Sequence, residues 1–368
     1  MDDVRGMIDR RLFVGSAGAA LGLGLAGCKT IPEPPGPPCD PPAVSGVWWI
    51  PDIAHPVWWG EEHLTPADGP PRTISLYYPS NRALPPRQML RSCLGRWPLV
   101  LLLHGQPPAG LTATQQSAYH RSFALIAVAL ARSGYVVAAP LRSAQLTTPD
   151  TGPAMLAAAQ KDVEWIRNSW REAKWVSRAP GRVVAVGHSY GALEATFIAN
   201  NWSEVAALVS LGGPWHEPND AAATFDAIRV PSLFMFQPGG LGFERIEDNP
   251  AANANLWRRI TTHTYAAIYQ GEHFDYLSPD QSGTAERGPC TLIGRIAADL
   301  TALFVASTVQ SLTSVPVGLT KPQVMLTPTQ EDFAVQHLPT IGRKLGKECQ
   351  VQLKWRAFGE TGQRIIGA

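Results

Sequence analysis

The sequence lacks an excess of either charge, a metal-binding motif and any apolar run long enough to span a bilayer. Only 17% of its 368 residues are charged, and 31 Lys and Arg against 30 Asp and Glu leave a net charge of +1. A nucleic-acid-binding protein usually presents a basic face, so this balance argues against such a partner. No cysteine pair has zinc-ligand spacing and no His-Glu-x-x-His occurs, so we expect no metal and no other cofactor.

What the sequence does contain is ample material for a core. Hydrophobic residues make up 45% of the chain, with 12 Trp and 11 Phe, which is enough for one large domain with appendages. Gly and Pro, at 33 each, are too few for a fibrous or wholly disordered chain. The pairs Trp48-Trp49 and Trp58-Trp59 indicate packing in the core or at a sheet edge, with a lipid- or substrate-contacting surface as the alternative.

The N-terminus predicts export. Arg10-Arg11-Leu12-Phe13 precedes the apolar run 14–27, which at about 14 residues falls short of the roughly 20 that a spanning helix needs. It fits a secretory signal peptide over residues 1–27. The arginine pair resembles a twin-arginine export signal, and Leu25-Ala26-Gly27-Cys28 resembles a bacterial lipobox. The resemblance implies cleavage before Cys28, lipidation of its sulfur and anchoring to a membrane of the cell envelope; an uncleaved anchor is the alternative.

A proline-rich linker and the remaining cysteines agree with an exported protein. Residues 28–45 include seven prolines within positions 32–42, typical of an extended polyproline II spacer. If Cys28 carries lipid, four cysteines remain, which in an oxidising compartment allow two disulfides in three possible pairings. We prefer Cys39 with Cys93 and Cys290 with Cys349, because each pair would attach a peripheral segment to the body.

The body of the chain alternates between strand and helix patterns. β-Branched and apolar runs predict strands at 72–79, 97–103, 135–140, 182–186, 205–211, 230–236 and 265–269. Helical spacing predicts helices at 122–133, 155–175, 192–200 and 292–310. This alternation predicts an α/β fold with a mostly parallel sheet and helices on both faces. We assign it to residues 46–310, and the alternating segment 350–356 predicts a short β extension within residues 311–368.

A nucleophile motif follows one of these predicted strands. Residues 187–191, Gly-His-Ser-Tyr-Gly, match the pattern G-x-S-x-G between a predicted strand and a predicted helix. A strained turn there would push the hydroxyl of Ser189 above the sheet, and small neighbours would let the backbones approach. The backbone N–H of Tyr190, at the start of the helix, would then donate to an oxyanion.

A second motif closes the earlier strand 97–103. There His104-Gly105-Gln106 precedes the serine by about 85 residues, and with it the chain resembles the α/β-hydrolase superfamily. The resemblance implies that the backbone N–H of Gln106 is the second oxyanion donor. For His104 we favour a role in orienting the loop over proton exchange.

The predicted general base is His273. It lies in a Gly-led loop after the last predicted strand, 84 residues beyond Ser189, and imidazole has the near-neutral pKa that a general base needs. The superfamily uses the chain order serine, acid, histidine. His216 and His263 are competitors, whereas His188, beside the nucleophile, is expected to point away.

The triad acid is harder to place. The superfamily usually carries it a few residues beyond the strand predicted at 230–236, where this sequence has glycines, so we choose Glu244. The alternatives in the same loop are Glu247 and Asp248, and those after the preceding strand are Glu217 and Asp220. For Asp275, two residues from His273, we favour a role in bracing the loop.

Together these residues predict a membrane-tethered serine hydrolase that cleaves carboxylic esters without a cofactor. The short segment between residues 211 and 230 leaves little room for a cap domain, and the loop around His273 resembles the cutinase-like and platelet-activating-factor acetylhydrolase-like branches. Such an open site would admit long or bulky esters. The alternatives are an acyltransferase with the same residues and a non-catalytic envelope lipoprotein on a hydrolase scaffold.

Overall fold

Ten strands form one sheet in the computed structural model of the protein. The residues it describes are 57–65, 71–80, 89, 96–108, 110–142, 152–213, 228–236, 264–269, 272–278, 293–311, 351–357 and 360–366. The strands are β1 Val57–Leu64, β2 Arg72–Pro79, β3 Leu99–Leu103, β4 Val136–Pro140, β5 Val183–His188, β6 Val205–Leu211, β7 Ser232–Phe236, β8 Thr264–Tyr269, β9 Val351–Ala357 and β10 Glu360–Ile366. The helices are α1 Ala113–Ser117, α2 Ala124–Arg132, α3 Gly152–Asn168, α4 Tyr190–Asn201 and α5 Ile293–Ser311.

The centre of the sheet is parallel and its flanks are antiparallel. The strand order is β1-β2-β4-β3-β5-β6-β7-β8-β9-β10. The six strands from β4 to β8 in this order pair in parallel. Strand β2 runs antiparallel to β4, and β9 runs antiparallel to β8. The predicted mostly parallel sheet is confirmed.

The central strands are buried on both faces because helices cover both. In β3, Val100 and Leu102 contribute to one core, which includes residues of α2 and α5. Leu99, Leu101 and Leu103 contribute to the other, which includes residues of α3 and α4. Successive side chains of a strand point to opposite faces, so an unbroken apolar run fits a strand enclosed in this way.

The predicted helix 155–175 is shorter at its C-terminal end than expected. Helix α3 ends at Asn168, and a 3-10 turn follows at Ala173–Trp175. The cause is tertiary: the N–H of Trp97 donates to the carbonyl of Trp175 at 2.8 Å. The backbone must therefore run extended beside the start of β3, which a continuing helix would prevent.

Strand β1 was not predicted, and it explains one of the two tryptophan pairs. Trp58 lies 5.0 Å from the ring of Tyr78, and Trp59 lies 6.1 Å from the ring of Tyr77. The two indoles thus pack on opposite faces of an outer strand, each against a different core. Packing at a sheet edge is confirmed for this pair, whereas Trp48-Trp49 lies outside the described residues.

The C-terminal β extension is present as the hairpin of β9 and β10. Strand β9 begins and ends one residue later than the predicted segment 350–356, and it continues the sheet beside β8. The signal peptide, the proline-rich linker and all five cysteines lie outside the described residues, so the domain limits, the lipid anchor and the disulfides stay predictions. Among the helices that the structure describes, none combines the length and apolarity needed to cross a membrane.

A glycine at the end of α2 provides a test of this packing. Gly134 has φ +93, and a Cβ there would lie 2.7 Å from the indole of Trp97. Gly110 has a similar φ of +88 but no atom within 4 Å of such a Cβ. In both alanine variants the left-handed backbone lowers the free energy of unfolding by about 1–2 kcal/mol. We expect the free energy of unfolding of Gly134→Ala to fall by about 1–3 kcal/mol more than that of Gly110→Ala, because its methyl group clashes with the buried indole of Trp97.

Urea denaturation of the two alanine variants measures this difference in the free energy of unfolding. Equal midpoints for Gly134→Ala and Gly110→Ala would contradict the packing described here.

Candidate active site

The candidate nucleophile occupies a strained turn between β5 and α4. Ser189 has φ 53 and ψ −122, and of the residues that the structure describes it is the only non-glycine with positive φ. Its own N–H donates to the carbonyl of Leu211 at 2.9 Å, which attaches the turn to β6. Such a backbone costs about 1–3 kcal/mol and persists only where its surroundings hold it. The predicted strand–turn–helix is present, with Ser189 half-buried at its apex.

Two glycines make this turn possible. A Cβ at Gly187 would lie 1.9 Å from the carbonyl oxygen of Gly191, and a Cβ at Gly191 would lie 2.2 Å from that of Leu103. These contacts are backbone to backbone, so no side-chain movement could relieve them. The two glycines therefore allow the backbone of the turn to lie in direct contact with the backbone at the end of β3.

The end of β3 brings the second motif next to the serine. A Cβ at Gly105 would lie 2.7 Å from the Cβ of Ser189, so the backbone at Gly105 packs directly on the nucleophile. Gln106 follows and is exposed. Helix α4 begins at Tyr190, and the first-turn N–H groups of a helix point towards its N-terminal end. The structure thus places both predicted oxyanion residues on segments that adjoin Ser189.

His104 holds this loop as a neutral residue. The N–H of Arg142 donates to Nε2 of His104 at 3.2 Å, so Nδ1 carries the proton and donates to the carbonyl of Gly105 at 2.7 Å. Burial, reinforced by the charge of Arg142, lowers the pKa of His104 to about 3. Both ring nitrogens are occupied by backbone groups, which agrees with the predicted orienting role.

The predicted base lies against the residue that precedes the serine. His273 is 4% exposed, and the centroid of its ring is 4.6 Å from that of His188. We expected His188 to point away from the site; instead its ring packs on His273, and its Nε2–H donates to the His273 carbonyl at 2.9 Å. Two residues 85 positions apart in the sequence are therefore in contact, and one of them is the covalent neighbour of Ser189.

Burial keeps His273 neutral. Burial first, and then the neighbouring His188, lower the pKa of His273 to about 2. The neutral ring has a lone pair that can accept a proton, but a pKa this low makes it a weak base. A carboxylate beside the ring would raise its pKa towards the near-neutral range that a general base needs.

Asp275 braces the loop that carries His273. Its Oδ2 accepts a hydrogen bond from the N–H of Glu272 at 2.7 Å, and its own N–H donates to the carbonyl of Glu272 at 3.0 Å. The two bonds close a turn around His273. The bracing role predicted for Asp275 is confirmed.

The triad acid remains a prediction. Glu244 and its alternatives lie outside the described residues, as do the two competing histidines: Glu247, Asp248, Glu217, Asp220, His216 and His263.

One ion pair beside the site was not predicted. Arg142, directly after β4, pairs with Glu194 near the start of α4, and its guanidinium lies 5.2 Å from the centroid of the Tyr190 ring. Both charged side chains are mostly buried. The pair attaches the first turns of α4 to the edge of the sheet where β4 ends. Only the position of Arg142 at a strand end could have indicated it from the sequence.

The buried histidines predict acid sensitivity. Burial is the first cause of a lowered pKa, to between about 2 and about 4, in each of four histidines: His104, His120, His188 and His273. The unfolded chain protonates them near pH 6.5, so it binds up to four more protons than the native state below that pH. Burial also raises the pKa of Asp162 to about 7 and of Asp299 to about 6, which offsets two of these protons.

We therefore expect the free energy of unfolding to fall by about 2 kcal/mol as the pH drops from 6 to 5. Urea denaturation at pH 7, 6 and 5 measures this change, and a stability that stays constant over the series would contradict it.

Comparison with known proteins agrees with the geometry. The model of the alpha/beta hydrolase family matches residues 100–349, a span that includes Ser189, His273 and, apart from Leu99, every central strand from β3 to β8. A search of the curated proteins finds no match. The family match covers well over half of the chain and supports a hydrolase-type function. The chain belongs to the alpha/beta hydrolase family.

Proposed function

We propose that the protein is a serine hydrolase that cleaves carboxylic esters through an acyl-enzyme intermediate. The observation that carries the proposal is the conformation of Ser189, whose φ of 53 is held between β5 and α4 with the ring of His273 packed against the preceding residue. A strained serine whose covalent neighbour packs on an imidazole supports nucleophilic catalysis, in which a base accepts the hydroxyl proton. A turn with no chemical role would have no reason to retain this strain.

In the proposed mechanism, the Oγ of Ser189 attacks the acyl carbon while His273 accepts the hydroxyl proton. The backbone N–H groups of Gln106 and Tyr190 stabilise the oxyanion of the tetrahedral intermediate. His273 then returns the proton to the leaving alcohol, which departs and leaves the acyl group on Ser189. Water, deprotonated by His273, releases the acid and restores the serine. Glu244 is proposed to orient His273, and no cofactor takes part.

We further propose an open site of the cutinase-like or platelet-activating-factor acetylhydrolase-like kind. Only about 20 residues separate β6 from β7, which is short for a cap domain. Without a cap the serine would accept long or bulky acyl groups. If an alcohol replaces water in the last step, the same residues perform acyl transfer; product analysis with a competing alcohol separates the two outcomes.

The nucleophile is tested with Ser189→Ala, compared with a control at the exposed Ser203. We expect Ser189→Ala to abolish labelling by a fluorophosphonate probe and to lower kcat on p-nitrophenyl butyrate by about a thousandfold or more, because the acyl-enzyme cannot form. Ser203→Ala should behave as the wild type. Undiminished labelling of Ser189→Ala would assign the nucleophile to another residue.

We also propose that the protein is exported through the twin-arginine route and tethered to an envelope membrane by lipid on Cys28. Cys28→Ser should move the protein from the membrane to the soluble fraction without loss of esterase activity, because the lipid attaches outside the catalytic domain. Fractionation followed by immunoblotting measures this, with Cys39→Ser as the retained control. Equal membrane retention of both variants would contradict the lipid anchor.

A further inference from the structure

The residue between Gly187 and Ser189 has no role in the motif, which accepts any amino acid there. In this chain it is His188, which is 1% exposed and surrounded by aromatic rings. Centroids of four rings lie within 6.3 Å of its own: Phe123, His273, Phe274 and Tyr276. An apolar side chain would fill this space without the cost of burying a polar ring. The imidazole therefore needs an explanation beyond packing.

The two nitrogens of this ring face the two loops that flank the nucleophile. Nε2 is 2.9 Å from the carbonyl oxygen of His273, which can only accept, so Nε2 carries the proton. Nδ1 is then unprotonated, and a Cβ at Gly105 would lie 3.1 Å from it. Within the described ranges Nδ1 has no hydrogen-bond partner. Among the described residues, the ring of His188 thus makes a hydrogen bond only to the backbone of His273, the predicted base.

We propose that His188 is a positioning residue, which uses its Nε2–H to hold the backbone of His273 at a fixed place relative to Ser189. The inference rests on the proposed function. The backbone of His188 is fixed by pairing with Leu211 of β6, and Ser189 is its covalent neighbour. A hydrogen bond from this ring therefore fixes the position of the loop of His273 relative to Ser189. Proton transfer depends on such distances to within fractions of an ångström.

The proposal requires the N–H donor of His188 and not merely the volume of its ring. Three variants separate these two properties. His188→Gln keeps an N–H donor at the reach of Nε2, His188→Asn keeps an amide that is one bond too short, and His188→Phe keeps the ring without a donor. On p-nitrophenyl butyrate we expect kcat to fall about tenfold in the Asn and Phe variants, as loss of one buried hydrogen bond implies. KM should change by less than about twofold, and His188→Gln should retain most of kcat.

A matched control removes a different buried imidazole. His120 is 2% exposed, and its Nε2 lies 3.2 Å from Oε1 of Glu61 on β1. His120→Phe also removes a buried imidazole and its hydrogen bond, but this bond is to β1 and not to the loop of His273. The kcat of this variant should therefore match the wild type. Near-UV circular dichroism and thermal denaturation establish that each variant is folded. If His188→Phe does not fold, His188→Asn and His188→Gln still provide the comparison.

The proposal is overturned if folded His188→Asn keeps the wild-type kcat, if His188→Gln falls as far as His188→Asn, or if His120→Phe loses kcat equally. These outcomes are distinct from a failure of the proposed function. In that case Ser189→Ala would retain activity and probe labelling, whatever the His188 variants do.

Discussion

The site depends on the contact of backbones at the turn after β5. Gly187, Ser189 and Gly191 are compressed between the ends of β3 and β6, and no side chain larger than hydrogen fits at either glycine. The strain at Ser189 is sustained because parallel strands buried on both faces cannot yield around it. The two cores, one on each face, are thus what keeps a single unfavourable φ in place. Side chains that pack far from Ser189 therefore help to maintain its backbone conformation.

Two neutral histidine rings also hold the site together through hydrogen bonds to the backbone. His104 and His188 each donate one ring N–H to a backbone carbonyl, of Gly105 and of His273 respectively. Burial lowers the pKa of both rings well below neutrality, so each has a defined tautomer and direction at neutral pH. A charged side chain in either place would add an electrostatic field beside Ser189. Two uncharged donors fix the loops on both sides of Ser189 without one.

Much of the fold could be predicted from the sequence because the central strands are unbroken apolar runs between turn residues. Strand β6 was predicted with its observed limits, and the elbow followed from its motif. Strand β1 was missed because Val57–Leu64 mixes tryptophans, a glycine and acids without alternation; it is stabilised by its neighbour β2. The end of α3 and the pair of Arg142 with Glu194 depend on residues distant in sequence. The orientation of His188 also depends on a distant residue, because a local pattern contains no information about the loop of His273, 85 residues later in the sequence.

The order of the segments along the chain has a consequence for biosynthesis. Every backbone that supports the strained turn, from β3 to β6, precedes residue 212, whereas the loop of His273 follows β8. During translation at roughly 5–20 residues per second, a ribosome therefore synthesises Ser189 and the strands from β3 to β6 several seconds before it reaches His273. One of the two cores that hold the turn includes residues of α5, which follow His273 in the chain. The nascent chain therefore contains the serine motif before it contains either the proposed base or the helix that completes this core.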